Sequence, residues 1–317
     1  MKENQTVMKR IVDNMSRVIV GKEGSARLMV IALASSGHVL IEDVPGIGKT
    51  TMANTLARTV GLSFNRIQFT PDILPSDITG FTVFNQKTGE FEYRSGSIMS
   101  HIILADEINR TSPKTQASML EVMEERQVTV DGKTYPVPEP FMVIATQNPV
   151  EYMGTYPLPE AQMDRFMMKI TIGYPSRTEE VDILYRFQES SPINELVPVV
   201  TREELLDLQR QVRKVRVDPS LAGYIVDLVT ATRRHEHVML GCSPRASLSL
   251  FRASQAAALY DGRDYVLPED IRDLAVPVLS HRLVLKQEAK IRRITNESII
   301  LDIVNRQRIP VGVKERA

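Results

Sequence analysis

Over residues 37 to 173, short and nearly continuous apolar runs alternate with stretches of helical period. The runs are His38-Val39-Leu40-Ile41, Ile102-Ile103-Leu104-Ala105 and Phe141-Met142-Val143-Ile144-Ala145, with Lys169-Ile170-Thr171-Ile172 as a further candidate. A strand covered on both faces of a parallel sheet has no polar alternation, and helices between such strands supply the cover. The pattern therefore predicts an α/β domain, a parallel sheet flanked by helices. Two stretches inside it read instead as inserted hairpins. Phe81-Thr82-Val83-Phe84 and Glu90-Phe91-Glu92-Tyr93 flank residues 85–89. Gln127-Val128-Thr129-Val130 and Lys133-Thr134-Tyr135-Pro136-Val137 flank Asp131-Gly132, a favoured two-residue hairpin turn.

The pattern changes near residue 190. Glu189-Ser190-Ser191-Pro192, continuing to Pro198, reads as a linker, and beyond it the period is helical. Thr201 and Glu204 form a capping box ahead of Leu205, Leu208 and Val212. Asp218-Pro219 opens a second helix with Leu221, Ile225, Leu228 and Val229 on one face. Ser243-Pro244 opens a third and Leu267-Pro268-Glu269-Asp270 a fourth. The expected division is an α/β core over 1–190, a linker over 191–200 and a small all-α lid over 201–317.

Composition narrows the class without adding chemistry. The 317 residues are 43% hydrophobic and 25% charged, the profile of an ordinary globular chain. Lys+Arg and Asp+Glu are both 39, so no bulk positive charge points to nucleic acid. The single cysteine, Cys242, permits no disulfide within the chain and suits a reducing compartment. The polar first ten residues do not resemble a signal peptide. The most apolar run, residues 28–34, is far shorter than the ~20 residues that span a bilayer. These features predict no transmembrane segment and a cytoplasmic location.

Candidate chemistry begins where the first apolar run ends. It passes into Glu42-Asp43-Val44-Pro45-Gly46-Ile47-Gly48-Lys49-Thr50-Thr51, and a helical pattern follows. Glycines between a strand and a helix let main-chain N–H groups converge on phosphate at the helix's positive end. In that setting Lys49 reaches the β- and γ-phosphates of ATP and the Thr50 hydroxyl ligates Mg2+. Pro45, Gly46, Ile47, Gly48 and Thr51 complete the cradle. The usual pattern opens on a glycine, and here Asp43 holds that position.

The second run ends at Asp106-Glu107. Adjacent acids repel unless a cation or bound water stabilises them. Asp106 is expected to hold the metal, directly or through water, and Glu107 to polarise an attacking water. The third run leads into Thr146-Gln147-Asn148-Pro149, where an amide can orient that water or contact the γ-phosphate. Arg165, in Asp164-Arg165-Phe166, can supply positive charge as the γ-phosphate charge develops. Arg245 follows Ser243 and Pro244 at a helix start, where a cation opposes the dipole unless an anion is shared. It reads as a nucleotide sensor from the helical domain.

Taken together, these runs resemble the MoxR-type AAA+ ATPases. The resemblance is carried by residues 44–50, 105–116, 145–149, 160–166 and 243–245, in the expected order over nearly the whole chain; 106–116 is its most specific part. It implies that Asn148 is sensor 1, Arg165 the finger acting on a neighbour's ATP and Arg245 sensor 2. The stretch Val18-Ile19-Val20-Gly21 would lie near the adenine. ATP would sit between two subunits and between the sheet and helical domains, with Arg110 reaching across the subunit boundary. The segments near 70–94 and 127–137 would match inserts that face the pore in related rings. The resemblance further implies a homo-oligomeric ring, usually a hexamer, with chaperone-like action on a protein client. It also implies a von Willebrand factor A domain partner and no nucleic acid. The alternative is a nucleic-acid motor of the helicase-like AAA+ type, against which the zero net charge weighs. A small-molecule kinase would leave Asn148, Arg165 and Arg245 without a task.

Overall fold

The computed structural model describes residues 2–148, 155–188 and 191–310. Pro149 of the expected Asn148 turn, and Glu189 and Ser190 at the head of the expected linker, lie outside them. Helices α1 (Lys2–Ser16) and α2 (Glu23–Ala34) precede β1 (Val39–Glu42), α3 (Lys49–Thr59), β2 (Phe64–Gln68) and α4 (Pro75–Thr79). Hairpin β3 (Gly80–Asn85) and β4 (Glu90–Ser95) leads to β5 (Ile102–Asp106) and α5 (Pro113–Glu125). A second hairpin, β6 (Gln127–Val130) and β7 (Lys133–Pro136), leads to β8 (Met142–Gln147), α6 (Glu160–Met163), β9 (Met168–Ile170) and α7 (Arg177–Arg186).

The sheet has five strands in the order β2-β5-β8-β1-β9, parallel throughout. Every residue of β5 is buried, and all of β8 up to its last residue, which is why neither shows polar alternation. Because all five strands point one way, the sheet has two unlike edges. Its carboxyl edge ends in Glu42, Asp106 and Gln147; its amino edge begins with Val39, Ile102 and Met142. Strand β2, which the apolar pattern does not reveal, lies at the sheet margin.

Both hairpins form where the sequence places them. Asp131 and Gly132 adopt φ of 49° and 76°, the left-handed pair that closes a two-residue turn. Tyr93 stacks on Tyr135 with ring centroids 3.9 Å apart, so the two ribbons touch.

The C-terminal helices are α8 (Arg202–Val212), α9 (Pro219–Arg234), α10 (Pro244–Tyr260), α11 (Pro268–Leu279), α12 (Gln287–Ile291) and α13 (Asn296–Arg306). The first opens with the expected capping box: Thr201 and Glu204 each accept the other's backbone N–H. The helical region also carries a short antiparallel ribbon, β10 (Val238–Leu240) with β11 (Val284–Leu285), which helical periodicity does not show.

Alternate residues of the strands feed two cores. Val39, Ile41 and Ile144 join α1, α2 and the C-terminal helices in one continuous cluster. Leu40, Ile103 and Ala145 pack beneath Leu120 and Met123 of α5 in the other. Cys242 is buried, and burial pushes its thiol up to about 11, so it is inert packing. Among the described residues no helix is long and apolar enough to cross a membrane.

Candidate functional site at the carboxyl edge of the sheet

Strand β1 delivers the chain to the loop before α3. Gly46 and Gly48 there adopt φ of 84° and 90°, a conformation that side chains resist. Gly48 caps α3 with no side-chain hydrogen bond, so main-chain N–H groups face the loop. Lys49 Nζ donates to the Asp43 carbonyl at 2.6 Å, folding the lysine back over the loop. The Asp43 side chain, which stands where a glycine was expected, has work of its own. Its carboxylate accepts N–H bonds from Val44 (2.9 Å), Ile172 (2.9 Å) and Gly173 (2.7 Å), tying the loop to the segment after β9.

A cavity of about 380 Å3 opens on this loop, and Pro45, Gly46, Gly48, Lys49, Thr50 and Thr51 line it. Asp106, Glu107 and Asn148 line its opposite side. The parallel sheet brings the three strand ends together, so residues read separately from three motifs share one wall. Arg66 lines the cavity too, and the sequence gives no signal for it. Its guanidinium pairs with Asp106 at 2.7 Å, while the Thr146 hydroxyl donates to the other Asp106 oxygen at 2.6 Å. Thr146 also accepts the Glu107 N–H at 2.9 Å, so one hydroxyl fixes both acids. Glu107 sits at φ 58°, in the left-handed region that costs a non-glycine residue about 1–3 kcal/mol. Gln68 donates to its carboxylate at 3.0 Å, and Arg110 Nε lies 3.1 Å from it.

An apolar slot of about 180 Å3 adjoins the same loop. Gly46, Ile47 and Gly48 line it, and so do Val18, Ile19 and Val20, Ile172 and Gly173, and Ile183 and Phe187. Gly21 follows Val20, and a Cβ added there would fall on the Glu179 carboxylate. A polar cavity and an apolar slot on the two sides of one glycine loop suit the phosphates and the base of a nucleotide.

Arg165 and Arg245 lie elsewhere in this chain. They line a cavity of about 280 Å3 that also includes Ser36, Gly37 and His38, the residues entering β1 at the amino edge. The nucleotide loop leaves β1 at the other end. Four residues of strand, about 13 Å at ~3.3 Å each, separate the two edges. The helical domain therefore does not bring Arg245 to this chain's own loop. Arg165 Nε and Arg245 Nη2 instead meet the two oxygens of one carboxylate, Glu124 at the end of α5.

Buried Arg282 holds this assembly. Its five N–H groups go to the Val278, Asp164 and Phe166 carbonyls, the Asp164 carboxylate and the Ser249 hydroxyl. Burial pushes its guanidinium pKa down, and the neighbouring Asp164 carboxylate opposes that. The second Asp164 oxygen accepts from Ser243, whose hydroxyl also caps the Arg245 N–H. The segment carrying Arg165 and the helix carrying Arg245 are thereby fastened together. Beneath them His38 accepts the Val143 N–H at Nδ1, and its Nε2 lies 3.1 Å from the Met123 carbonyl. Burial and then Arg126 lower its pKa to about 4, so it is neutral at physiological pH.

Fold and loop together define a P-loop ATPase carrying a helical lid. Residues 38–168 match the ATPase family associated with various cellular activities (AAA), and residues 230–303 match the AAA lid domain. The uncharacterized protein YeaC of Bacillus subtilis (strain 168) is 55% identical over 95% of this chain and 94% of its own. Chaperone MoxR1 of Mycobacterium tuberculosis is 43% identical over 96% of this chain and 82% of its own. A crystal structure of a Cytophaga hutchinsonii protein superposes with a TM-score of 0.90 at 41% identity, covering 98% of both chains. The chain belongs to the MoxR family of AAA+ ATPases.

Proposed function

We infer that the chain binds Mg·ATP in the carboxyl-edge cavity and hydrolyses it, driving chaperone-like remodelling of protein complexes as a head-to-tail ring, hexameric as the resemblance implies. One observation carries this. Lys49, Thr50, Asp106, Glu107 and Asn148 converge on one cavity, while Arg165 and Arg245 stand at the opposite edge of the sheet. A site that needs both groups is complete only between copies, with the arginines of one facing the loop of the next.

Mg2+ fits the donors present. A hydroxyl and one or two carboxylates suffice for a cation that keeps most of its waters, and Thr50 and Asp106 offer them. The pairing of Asp106 with the Arg66 guanidinium supports a cation at this carboxylate. When bound, the metal neutralises phosphate charge. The chain's own groups do the rest. Loop N–H groups and Lys49 hold the phosphates, and the apolar slot holds the base. Glu107 draws a proton from the attacking water, which Asn148 orients. Arg165 and Arg245 of the neighbouring copy stabilise the charge that develops. The working division is a core over 1–190, a linker over 191–200 and a lid over 201–317. The resemblance implies a protein client and a von Willebrand factor A domain partner.

The test uses nucleotide binding and turnover by the full chain. Lys49→Ala should lose tight binding, and Glu107→Gln should bind ATP without turning it over. Arg165→Ala should bind but turn over slowly, and mixing it with Glu107→Gln chains should restore activity. Wild-type chain that takes up no Mg·ATP would sink the reading. DNA-stimulated turnover that falls steeply with salt would favour the nucleic-acid motor instead.

A further inference from the structure

The amino-edge cavity holds an uneven set of charges. Among the described residues, Arg126, Arg165, Arg245 and Arg252 line it against the one carboxylate of Glu124. That carboxylate is divided between two of them. Arg165 Nε lies 3.1 Å from Oε2, and Arg245 Nη2 pairs with Oε1. Guanidinium geometry matches carboxylate and phosphate oxygens alike, so a phosphate offering one oxygen to each arginine could take the place of the Glu124 carboxylate. Glu124 thus sits where an anion from outside would be gripped, and the chain supplies it itself.

The arginines are not merely seeking any neutralising partner. Arg282, through Asp164 and Ser243, already fixes the segment of Arg165 to the helix of Arg245. Their spacing is set without Glu124. All three side chains are partly open to solvent, with exposures of 29% for Arg165, 40% for Arg245 and 38% for Glu124. A competing anion can therefore reach them.

We propose that Glu124 is an internal brake: it occupies the Arg165–Arg245 pair in the separate chain, and the terminal phosphate of ATP on a neighbouring copy displaces it. This deepens the reading above and rests on it. Exposed ion pairs are weak. The brake is therefore light, enough to hold the arginines in isolation and readily overcome by a multiply charged phosphate.

Glu124→Gln keeps the shape of the side chain and removes its charge. The chain concentration giving half-maximal turnover should fall about three- to tenfold, equivalent to about 0.7–1.4 kcal/mol at 1.4 kcal/mol per tenfold. The KM for ATP at saturating chain should fall as well, because the neighbour's phosphate then meets Arg165 and Arg245 without a competing carboxylate. Glu124→Ala should shift the curve in the same direction. A readout without turnover uses Glu107→Gln chains with ATP, in which light scattering should report assembly at lower concentration once Glu124→Gln is added. In an Arg165→Ala, Arg245→Ala background, Glu124→Gln should do nothing further.

An unchanged or raised half-activating concentration with both Glu124 variants overturns the brake, as does a shift that persists without the arginines. If Arg165→Ala impairs turnover while Glu124→Gln does not activate, only the brake fails. If Arg165→Ala turns over like wild type, the shared-site reading fails first.

Discussion

Replacing Asp43 tests whether its departure from the usual loop glycine is structural. In Asp43→Ala the Val44, Ile172 and Gly173 N–H groups lose their acceptor. The Ile172 bond is buried, and a buried donor left unsatisfied costs about 1–3 kcal/mol. Water can reach the other two, so each is assigned about 1 kcal/mol, the net worth of an ordinary hydrogen bond. The sum is about 3–5 kcal/mol, or a fall in Tm of roughly 6–10 °C at ~2 °C per kcal/mol for a chain of this size. Asp43→Asn keeps one acceptor and turns an amide donor towards another donor, so its loss should be smaller but measurable. Asp43→Gly, which restores the usual motif, should be no better than alanine, because the three N–H groups still go unmet. Urea and thermal unfolding by circular dichroism read these differences. Since Ile172 and Gly173 wall the apolar slot, the affinity for a fluorescent ATP analogue should fall as well. A Tm for Asp43→Ala within about 2 °C of wild type, against the ~2 °C per kcal/mol scale, would refute the reasoning.

Two further outcomes follow from buried groups at the amino edge. His38 is held neutral, its pKa lowered from 6.5 to about 4. As pH falls below about 6.5 the unfolded chain takes up a proton that the folded chain refuses, so stability is lost down to about pH 4, by about 3 kcal/mol at 1.36 per pH unit. His281, also buried with a lowered pKa, adds a loss of the same sign. Urea midpoints at pH 7.5 and 5 should differ accordingly, and His38→Asn should reduce the difference; equal pH slopes would exclude His38. Arg282→Met should destabilise the chain by about 3–5 kcal/mol, since it leaves Asp164 with a single partner. Adding Asp164→Asn should then cost less than the sum of the two single changes, and strict additivity would disprove their coupling.

The phosphate loop and the acids were legible because each is a contiguous run at the end of an apolar strand, and short-range order survives in sequence. The hairpins were legible through Asp131-Gly132 and the ribbon patterns. Strand β2 was not, because Asn65, Arg66 and Gln68 interrupt it, as the margin of a sheet permits. What it carries was therefore missed: Arg66 lies 40 positions from Asp106, and Gln68 lies 39 from Glu107. Glu124 meets Arg245 across 121 positions, and Arg282 meets Asp164 across 118. Neither pairing leaves a local pattern. Asp43 read as a defect for the same reason, since two of its partners lie 129 and 130 positions on. The helix start at Ser243-Pro244 was read correctly, but periodicity cannot say which edge of a sheet a helix will face.

Strand polarity restricts how copies can meet. The loop and the arginine pair occupy opposite ends of one parallel sheet. A two-fold axis completes both sites only where one patch spans the whole length of the sheet, so that each loop meets the other chain's arginines and the reverse. Contacts between unlike surfaces propagate, and an open row always has one unserved loop at one end and one idle arginine pair at the other. Under the proposed division of labour a head-to-tail row employs every residue only when rotation closes it, so an odd-sized ring is as serviceable as an even one.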